Sequence, residues 1–584
     1  MAYQPPVSEV SAVLFDVLKA DERWAALSPF AEVDKALALQ VLDGAATFVG
    51  ERIAPLNRSG DEAGCRWQAR SDGQGGDVTT PAGFREAYAA FWQEGWGSLS
   101  TSPDWGGQGL PAVLDAVLYE WLVAGNHAWT MAPGLLHGAY ECLLHHGSDA
   151  LREVYLGRIA TGEWLATMCL TEPHAGSDLG LVNTRAVPHA SGHHVLSGQK
   201  IFISGGDHDL TDNIVHLVLA RLPDSPPGPK GLSLFLAPKF LPDGSRNAAW
   251  CDRIEEKMGL HGSPTCVMRF EGATGWLVGQ PGRGLAAMFL MMNAARLHVA
   301  LQGIAQLDAA HQIASHYALE RRQMRAPGAR HEAGAAADVI LRHPAMQRVL
   351  DTQKAWVEGG RLLAYETGLA LDEAQYASTP AERDAAQRWC SLATPILKAM
   401  CTDQGFAGAS ACLQVLGGHG YVREWGIEQI VRDSRVAMIY EGTNEIQAVD
   451  LLLRKVLPDG GQGLLALMDD LRSTSPQGAS GQGLHDLLDQ WQVTVLTVID
   501  RHAKAQGSEG EEWANAIAQD FLRLCALGLW TWALSRLAAS DSAASARWQR
   551  LNLAWWQWVM PQWLTHQAVL GSDPAHLPSA VELE

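Results

Sequence analysis

From Gly284 to Arg322 the chain carries no proline, and Leu290, Ala294, Leu297, Leu301, Ile304 and Leu307 recur every three or four residues. That spacing predicts one unbroken helix. At about 1.5 Å per residue it spans more than about 50 Å, long enough to cross a bundle and reach a neighbour. Two further long helical patterns follow, at 343–375 and 381–413. An Ala/Gly-rich stretch, Ala326 to Ala337, intervenes and reads as a mobile loop.

The character ahead of this helix is different. Between Glu163 and Gly279 the segments HHVLSGQKIFISGG, NIVHLVLARL, GLSLFLAPKF and TCVMRFEGATGWLV are short, β-branched and punctuated by turn residues. This pattern predicts an antiparallel sheet or small barrel. Residues 1–57 and Ala82 to Arg158 read as helical, with the polar, Gly-rich stretch Asn57 to Gly76 as a loop between them. Beyond PDGG at 458–461, Trp491, Trp513, Trp530, Trp532, Trp548, Trp555, Trp556, Trp558 and Trp563 crowd the tail. They suit the packing of an added helical domain, with an aromatic ligand cage as the sharper alternative. The order makes an α+β protein: an N-terminal helical domain with extension at 1–163, a β domain at 164–280, a helical bundle at 281–457 and a C-terminal helical domain at 462–584.

Composition narrows the class. The 584 residues include 44 Lys and Arg against 64 Asp and Glu, a net charge of −20, which argues against a phosphate-backbone binder and so against a nucleic-acid partner. The nine cysteines stand singly with no CxxC pair, the habit of a reduced, cytoplasmic protein. No apolar run reaches membrane-spanning length, and MAYQPPVSEV has no signal-peptide character. The histidines lack acidic or cysteine partners at ligand spacing, so no metal is expected.

Four clusters carry potential chemistry. In MIYEGTNEIQ (438–447) an apolar approach delivers Tyr440 and Glu441 to a Gly-Thr break. Thr443 reads as the N-cap of a following helix with Glu445 in its first turn. Glu441 is then either a solvated loop glutamate or a desolvated carboxyl whose pKa rises toward neutrality, as a base requires. CLTEPHAGSDL (169–179) sets Thr171, Ser177 and backbone amides near Ala175 and Gly176, suited to a polar planar ring, a phosphate or an ordinary turn. QKIFISGG (199–206) is a strand whose alternation puts Phe202 and Ser204 on one face, either a flat cofactor wall or core. LQVLGGHGY (413–421) follows a helix, so its glycines are not the dinucleotide fingerprint.

Taken together and in this order, CLTEPHAGSD, GQKIFISGG, LQVLGGHGY and IYEGTNEIQ resemble the acyl-CoA dehydrogenase family, with further similarity in DWGGQGLP, MNAARL, YALERR and IVRDSRVAMIYEGTNEIQ. The resemblance covers about residues 40–457. It is nearest the long form with an added C-terminal helical domain, similar to the 3-(methylthio)propanoyl-CoA dehydrogenases of dimethylsulfoniopropionate breakdown and their fatty-acyl relatives. It implies an FAD-dependent α,β-dehydrogenation of an acyl-CoA to the trans-2-enoyl-CoA, with electron-transfer flavoprotein as acceptor. Alternatives on the same fold are an acyl-CoA oxidase and a nucleic-acid-associated flavoprotein. Glu441 matches the catalytic base. Leu170, Thr171 and Ser177 match the flavin- and substrate-contacting strand, and Phe202 and Ser204 the wall beside the flavin. Arg321 matches a pyrophosphate contact to a neighbouring subunit's FAD, and Gln414 and Gly418 match adenine-nucleotide contacts from that partner, which implies a homo-oligomer of at least two chains. Thr443 and Glu445 match FAD contacts past the base. Arg296 and Tyr440 fall to the substrate side. The chain departs from the family where ERKTFG becomes ERRQMR, where Pro344 replaces a frequent glutamine, and where Phe202 replaces tryptophan.

Overall fold

The structure, a computed structural model, describes residues 3–328, 334–478, 481–505 and 508–572, the side chains of residues 289, 290 and 292–294 excepted. Leu290 and Ala294 of the periodic series, and the middle of the Ala326–Ala337 stretch, therefore lie outside the described residues. The chain forms two compact units, one built from residues 44–298 and the other from residues 6–43 together with 299 onward.

The second of these units is helical. The long periodicity becomes the helix Gly284–Glu320, whose residues from Val299 onward belong here. It is followed by the helices Pro344–Tyr376 and Pro380–Val415. Thr379 starts the last of these with a reciprocal cap: its hydroxyl accepts from the Glu382 N–H, and the Glu382 carboxylate accepts from the Thr379 N–H. Glycines bring the first and third helices into backbone contact. A Cβ on Gly303 would lie 2.1 Å from the Cys401 carbonyl oxygen, and one on Gly405 would lie 2.8 Å from the Gly303 Cα.

A buried charge cluster ties the ends of the sequence to this bundle. Arg361 meets Asp308 at 3.2 Å, both side chains without solvent exposure. Lys354 reaches Asp308 and Glu9, each at 2.9 Å. From the C-terminal helices, Arg547 pairs with Glu9 and the Trp548 indole donates to Glu358 at 3.1 Å. Those helices are Gln482–Lys504, Glu509–Ala538, Ser545–Trp558 and Gln562–Leu570. Trp491, Trp513, Trp530, Trp548 and Trp555 are fully buried. Trp530 donates to the Trp356 carbonyl at 3.1 Å, and the Trp356 and Trp555 rings meet edge-on. These tryptophans are packing bulk.

The unit 44–298 joins helices, chiefly Phe84–Gln93, Ala112–Thr130 and Leu136–His146, to a nine-stranded sheet. The strands are β1 Arg66–Ala69, β2 Gly76–Thr79, β3 Leu165–Cys169, β4 Arg185–Pro188, β5 His194–Ser204, β6 Ile214–Arg221, β7 Leu232–Pro238, β8 Ala249–Ile254 and β9 Thr265–Val278. Their order is β1-β2-β8-β9-β5-β4-β6-β3, and β7 bridges β6 and β9, so β9, β5, β4, β6 and β7 close into a small barrel. Cys169, Leu196, Ile203, Val218, Phe235 and Met268 help fill the core of this β layer.

Two expectations need correction. The sheet is not wholly antiparallel: β3 and β4 both run parallel to β6. Nor is Asn57 to Gly76 a loop. It begins inside the helix Leu56–Ala63 and continues as the hairpin β1–β2, which extends the sheet through β8. The Trp67 indole donates to the Cys251 carbonyl at 3.0 Å, so a tertiary partner fixes a segment whose polar composition reads as a loop.

Candidate functional site

In the helical unit, Arg435–Met438 forms a single 3-10 turn that leads into Tyr440 and Glu441. This approach is less buried than expected: of its apolar residues only Ala437 is fully covered, and Ile439 is 52% exposed. Glu441 is half-buried and adopts φ +55°, with Gly442 at +80° behind it. A left-handed glutamate costs about 1–2 kcal/mol, so its surroundings must hold it there. They do so with buried donors. Gln447 Nε2 donates to the Glu441 carbonyl at 3.0 Å, and Lys398 Nζ to the Gly442 carbonyl at 2.8 Å. Lys398 also donates to Asn444 Oδ1 at 2.9 Å.

The helix Asn444–Val449 then starts as expected, its N-cap Thr443 hydroxyl accepting from the Ile446 N–H. Glu445 is exposed in the first turn. A hydrogen bond from its own backbone N–H, with the Thr443 hydroxyl second, holds its carboxyl below the usual carboxylate range. Its Oε1 accepts from Gln519 of the C-terminal helices at 3.1 Å. The Tyr440 hydroxyl donates to Gln302 Oε1 at 2.5 Å, which ties the turn to the long helix one residue from the Gly303 crossing.

At the far end of that helix Arg321 is exposed, with no side-chain ion pair among the described residues. The Tyr317 hydroxyl is 2.9 Å from His419 Nδ1, and His419 stacks on Trp425. These contacts bring the turn Gly417–Tyr421 to the same end of the bundle as Arg321, with Gln414 and Gly418 exposed.

In the other unit the end of β3 meets β5. The Thr171 carbonyl accepts from the Ile201 N–H at 2.9 Å, and the Leu170 carbonyl from Lys200 Nζ at 2.9 Å. Lys200 is buried and paired at 2.8 Å with Glu172, whose carboxylate also accepts from the Thr184 hydroxyl and from the N–H groups of Asn183 and Thr184. Burial disfavours both charges of this pair. For Glu172 burial is opposed by the Lys200 ammonium together with the hydrogen bonds from Thr184 and Asn183, and the pKa is lowered, whereas for Lys200 burial prevails and lowers it. Leu170 and Thr171 are half-buried and Ser177 is exposed on the following loop. The strand alternation expected through Phe202 is broken by a register shift between Lys200 and Ile203. Phe202 sits at φ +59° with 61% of its surface exposed, and Ser204 beyond it is half-buried. Arg296 is buried on the long helix.

Sequence reading did not single out Lys398, Gln447, Asn444, Lys200 or Glu172. The available signal was a lone lysine in an apolar run, Ile396-Leu397-Lys398-Ala399-Met400, and another inside a strand. Among the described residues no group of acidic, histidine and cysteine side chains is placed to hold a metal, and no helix is long and apolar enough to cross a membrane.

Helices, a closed β layer, a helical bundle and an acid on a strained turn define the class. Profiles of the acyl-CoA dehydrogenase N-terminal, middle and C-terminal domains match residues 38–163, 167–273 and 282–456. The chain belongs to the acyl-CoA dehydrogenase family, FAD-dependent oxidoreductases acting on the CH–CH bond of acyl-CoA thioesters. It is 40% identical to the 3-methylmercaptopropionyl-CoA dehydrogenase of Ruegeria pomeroyi, over 93% of this chain and 92% of that protein. It is 34% identical to a broad-specificity linear acyl-CoA dehydrogenase of Mycobacterium tuberculosis, over 82% and 79%. Among solved structures, Caenorhabditis elegans ACDH-11 in complex with C11-CoA superposes with a TM-score of 0.78 at 19% identity, covering 95% of this chain and 91% of that one. The fold is therefore the acyl-CoA dehydrogenase fold with added C-terminal helices.

Proposed function

We propose that this enzyme oxidises a short acyl-CoA, 3-(methylthio)propanoyl-CoA or a short-to-medium fatty acyl-CoA, to its trans-2-enoyl-CoA, with Glu441 as the base. The observation that carries the reading is the left-handed Glu441, a strained acid held in one orientation by buried donors. The likeness to the Ruegeria pomeroyi protein over nearly the whole chain supports the methylthio substrate.

The donor set fits FAD. The exposed Phe202 ring and the hydroxyls of Thr171, Ser177 and Ser204 suit the face and polar edge of a flavin. The exposed Arg321 guanidinium suits a pyrophosphate, and a Cβ on Gly417 or Gly418 would meet nothing within 4 Å, which leaves room for a nucleotide beside Gln414. Thr443 and Glu445 complete the set beyond the base. When bound, FAD supplies the acceptor for the hydrogen that leaves the substrate Cβ as hydride.

The chain's own work is alignment and proton transfer. The Glu441 N–H donates to the thioester carbonyl and stabilises the charge that grows on its oxygen. The Glu441 carboxylate, losing water as substrate enters, takes the α-proton. Tyr440, fixed by Gln302, sets the direction from which the base arrives. Arg296 is the proposed contact to the acyl side of the substrate. Within the unit 44–298 a cavity of about 30 Å³ is bordered by Leu118, Tyr119, Leu122, Leu136 and His298, and we propose it as the acyl-end pocket. The Tyr119 and His298 rings stack there at 4.1 Å. Its largely apolar lining suits an alkyl or methylthio end. Electron-transfer flavoprotein is the proposed onward acceptor, and the working form is at least a dimer. A panel of CoA esters assayed with a dye acceptor tests the substrate class: turnover should be greatest with methylthiopropanoyl- and butyryl-to-octanoyl-CoA. Turnover confined to long or branched esters contradicts the reading.

A further inference from the structure

We propose that Lys398 is a positioning residue for the base, clamping the left-handed Glu441–Gly442 turn from below. The inference rests on the assignment of Glu441 as base and goes beyond it. Lys398 sits within the apolar run Ile396–Met400, and in the fold it has no solvent exposure at all. A buried ammonium is costly unless its protons are taken up, and an apolar residue at that point in the helix would pack at lower cost. Here two of its acceptors belong to the turn and the helix it begins: the Gly442 carbonyl at 2.8 Å and Asn444 Oδ1 at 2.9 Å.

Around it stands a second layer of polar contacts. Thr402, one helical turn on from Lys398, donates to the same Asn444 oxygen at 3.2 Å. Asn444 Nδ2 donates to Asp403 Oδ1 at 2.6 Å and to the Ala399 carbonyl at 3.1 Å. Asp403 is in turn held at 3.3 Å by Arg523 of the C-terminal helix Glu509–Ala538, which also carries the Gln519 that meets Glu445. The added helices thus form the outer wall of the turn. Gln447 holds the neighbouring Glu441 carbonyl independently. Lys398 and Gln447 thus grip the turn through its backbone carbonyls, and Lys398 also through Asn444, so their role is to orient the base.

The test uses flavin-loaded full-length protein. Lys398→Met removes the donor and keeps the bulk, and Gln447→Leu removes the other donor to the same turn should the first variant not fold. Displacement of the base by about 1 Å lowers rates by about 10–100-fold. We expect the rate of flavin reduction per bound flavin, at saturating acyl-CoA, to fall by that factor, with the half-saturating concentration within about threefold of the parent. Amide hydrogen exchange over residues 436–447 should quicken in the same holoprotein. A purely structural role would lower flavin content or melting temperature and leave the rate per flavin and the exchange of this segment unchanged, and that result overturns the proposal. Glu441→Gln run alongside separates the two ideas. If that variant reduces its flavin normally, the base assignment fails; if it is inert while Lys398→Met and Gln447→Leu behave like the parent, only the clamp fails.

Discussion

Glu441 and Phe202 share a backbone state that L-residues avoid, at φ +55° and +59°, and only four other non-glycine residues do so among those described: Lys19, Asp224, Leu260 and Met324. Retained strain of this kind is a pointer to function, since a glycine would relieve it. The sequence made the turn at Glu441 legible, through the Gly-Thr break and the Thr443 cap, both of which depend on neighbours in the chain. It did not reveal which residue takes the left-handed state, because Gly442 offers a less strained place for it. Nor did it reveal Lys398, whose importance lies in partners more than forty residues away in sequence. The acyl end makes a separate prediction. Tyr119→Ala should enlarge the cavity beside His298 and move preference toward longer chains. Each methylene accommodated is worth about 1–3 kcal/mol, a shift of about tenfold or more in relative kcat/KM for longer over shorter esters. An unchanged chain-length profile places the acyl terminus elsewhere.

Among the elements, the long helices were legible to within a residue or two, because thirty-odd residues of period 3.6 leave few alternatives and Thr379-Pro380 marks a start. The hairpin β1–β2 was not, because its two strands are short and mostly exposed. It is specified by what it meets: Trp67 on Cys251, and Gly76 opposite that same residue. The parallel pairing of β3 with β6 is likewise invisible to alternation, which reports faces and not direction. The Gly303 crossing is the element on which the base turn leans. Gly303→Ala drives a methyl into the Cys401 carbonyl and should lower stability by about 1–3 kcal/mol, read as a shift in the urea midpoint. It should also slow turnover, because Gln302 carries Tyr440. A variant as stable as the parent would show that the two helices separate freely.

For the molecule as a whole, the two units should respond to acid differently. In the β-containing unit, burial holds His208 and His216 neutral, their pKa values lowered to about 3. The unfolded chain takes up their protons below about pH 6.5, so stability is full above that value. On acidification it falls by about 1.4 kcal/mol per pH unit for each histidine until the folded pKa is reached. In the helical unit burial opposes the Glu9 charge, yet Lys354, Arg361 and Arg547 overcome it and hold its pKa at about 2; Asp308 is lowered too, against burial, by Lys354 and Arg361. That stability is present above about pH 4.5 and is lost only as pH falls through the folded values. The helical unit also buries one such histidine, His311, its pKa lowered by burial to about 4. Calorimetry between pH 7 and 4.5 should therefore show the transition of the β-containing unit, with two, moving further to lower temperature than that of the helical one; identical shifts would contradict this. Asp308→Asn, which leaves Arg361 and Lys354 short of a counter-charge, should cost about 3–5 kcal/mol and loosen the N-terminal residues and the C-terminal helices together, seen as faster amide exchange in both. The central claim, that one acid on a strained turn takes the α-proton, is tested most directly by anaerobic titration of flavin-loaded Glu441→Gln with butyryl-CoA and 3-(methylthio)propanoyl-CoA. The variant should stay yellow while the parent bleaches; bleaching at the parent's rate would remove Glu441 from the chemistry.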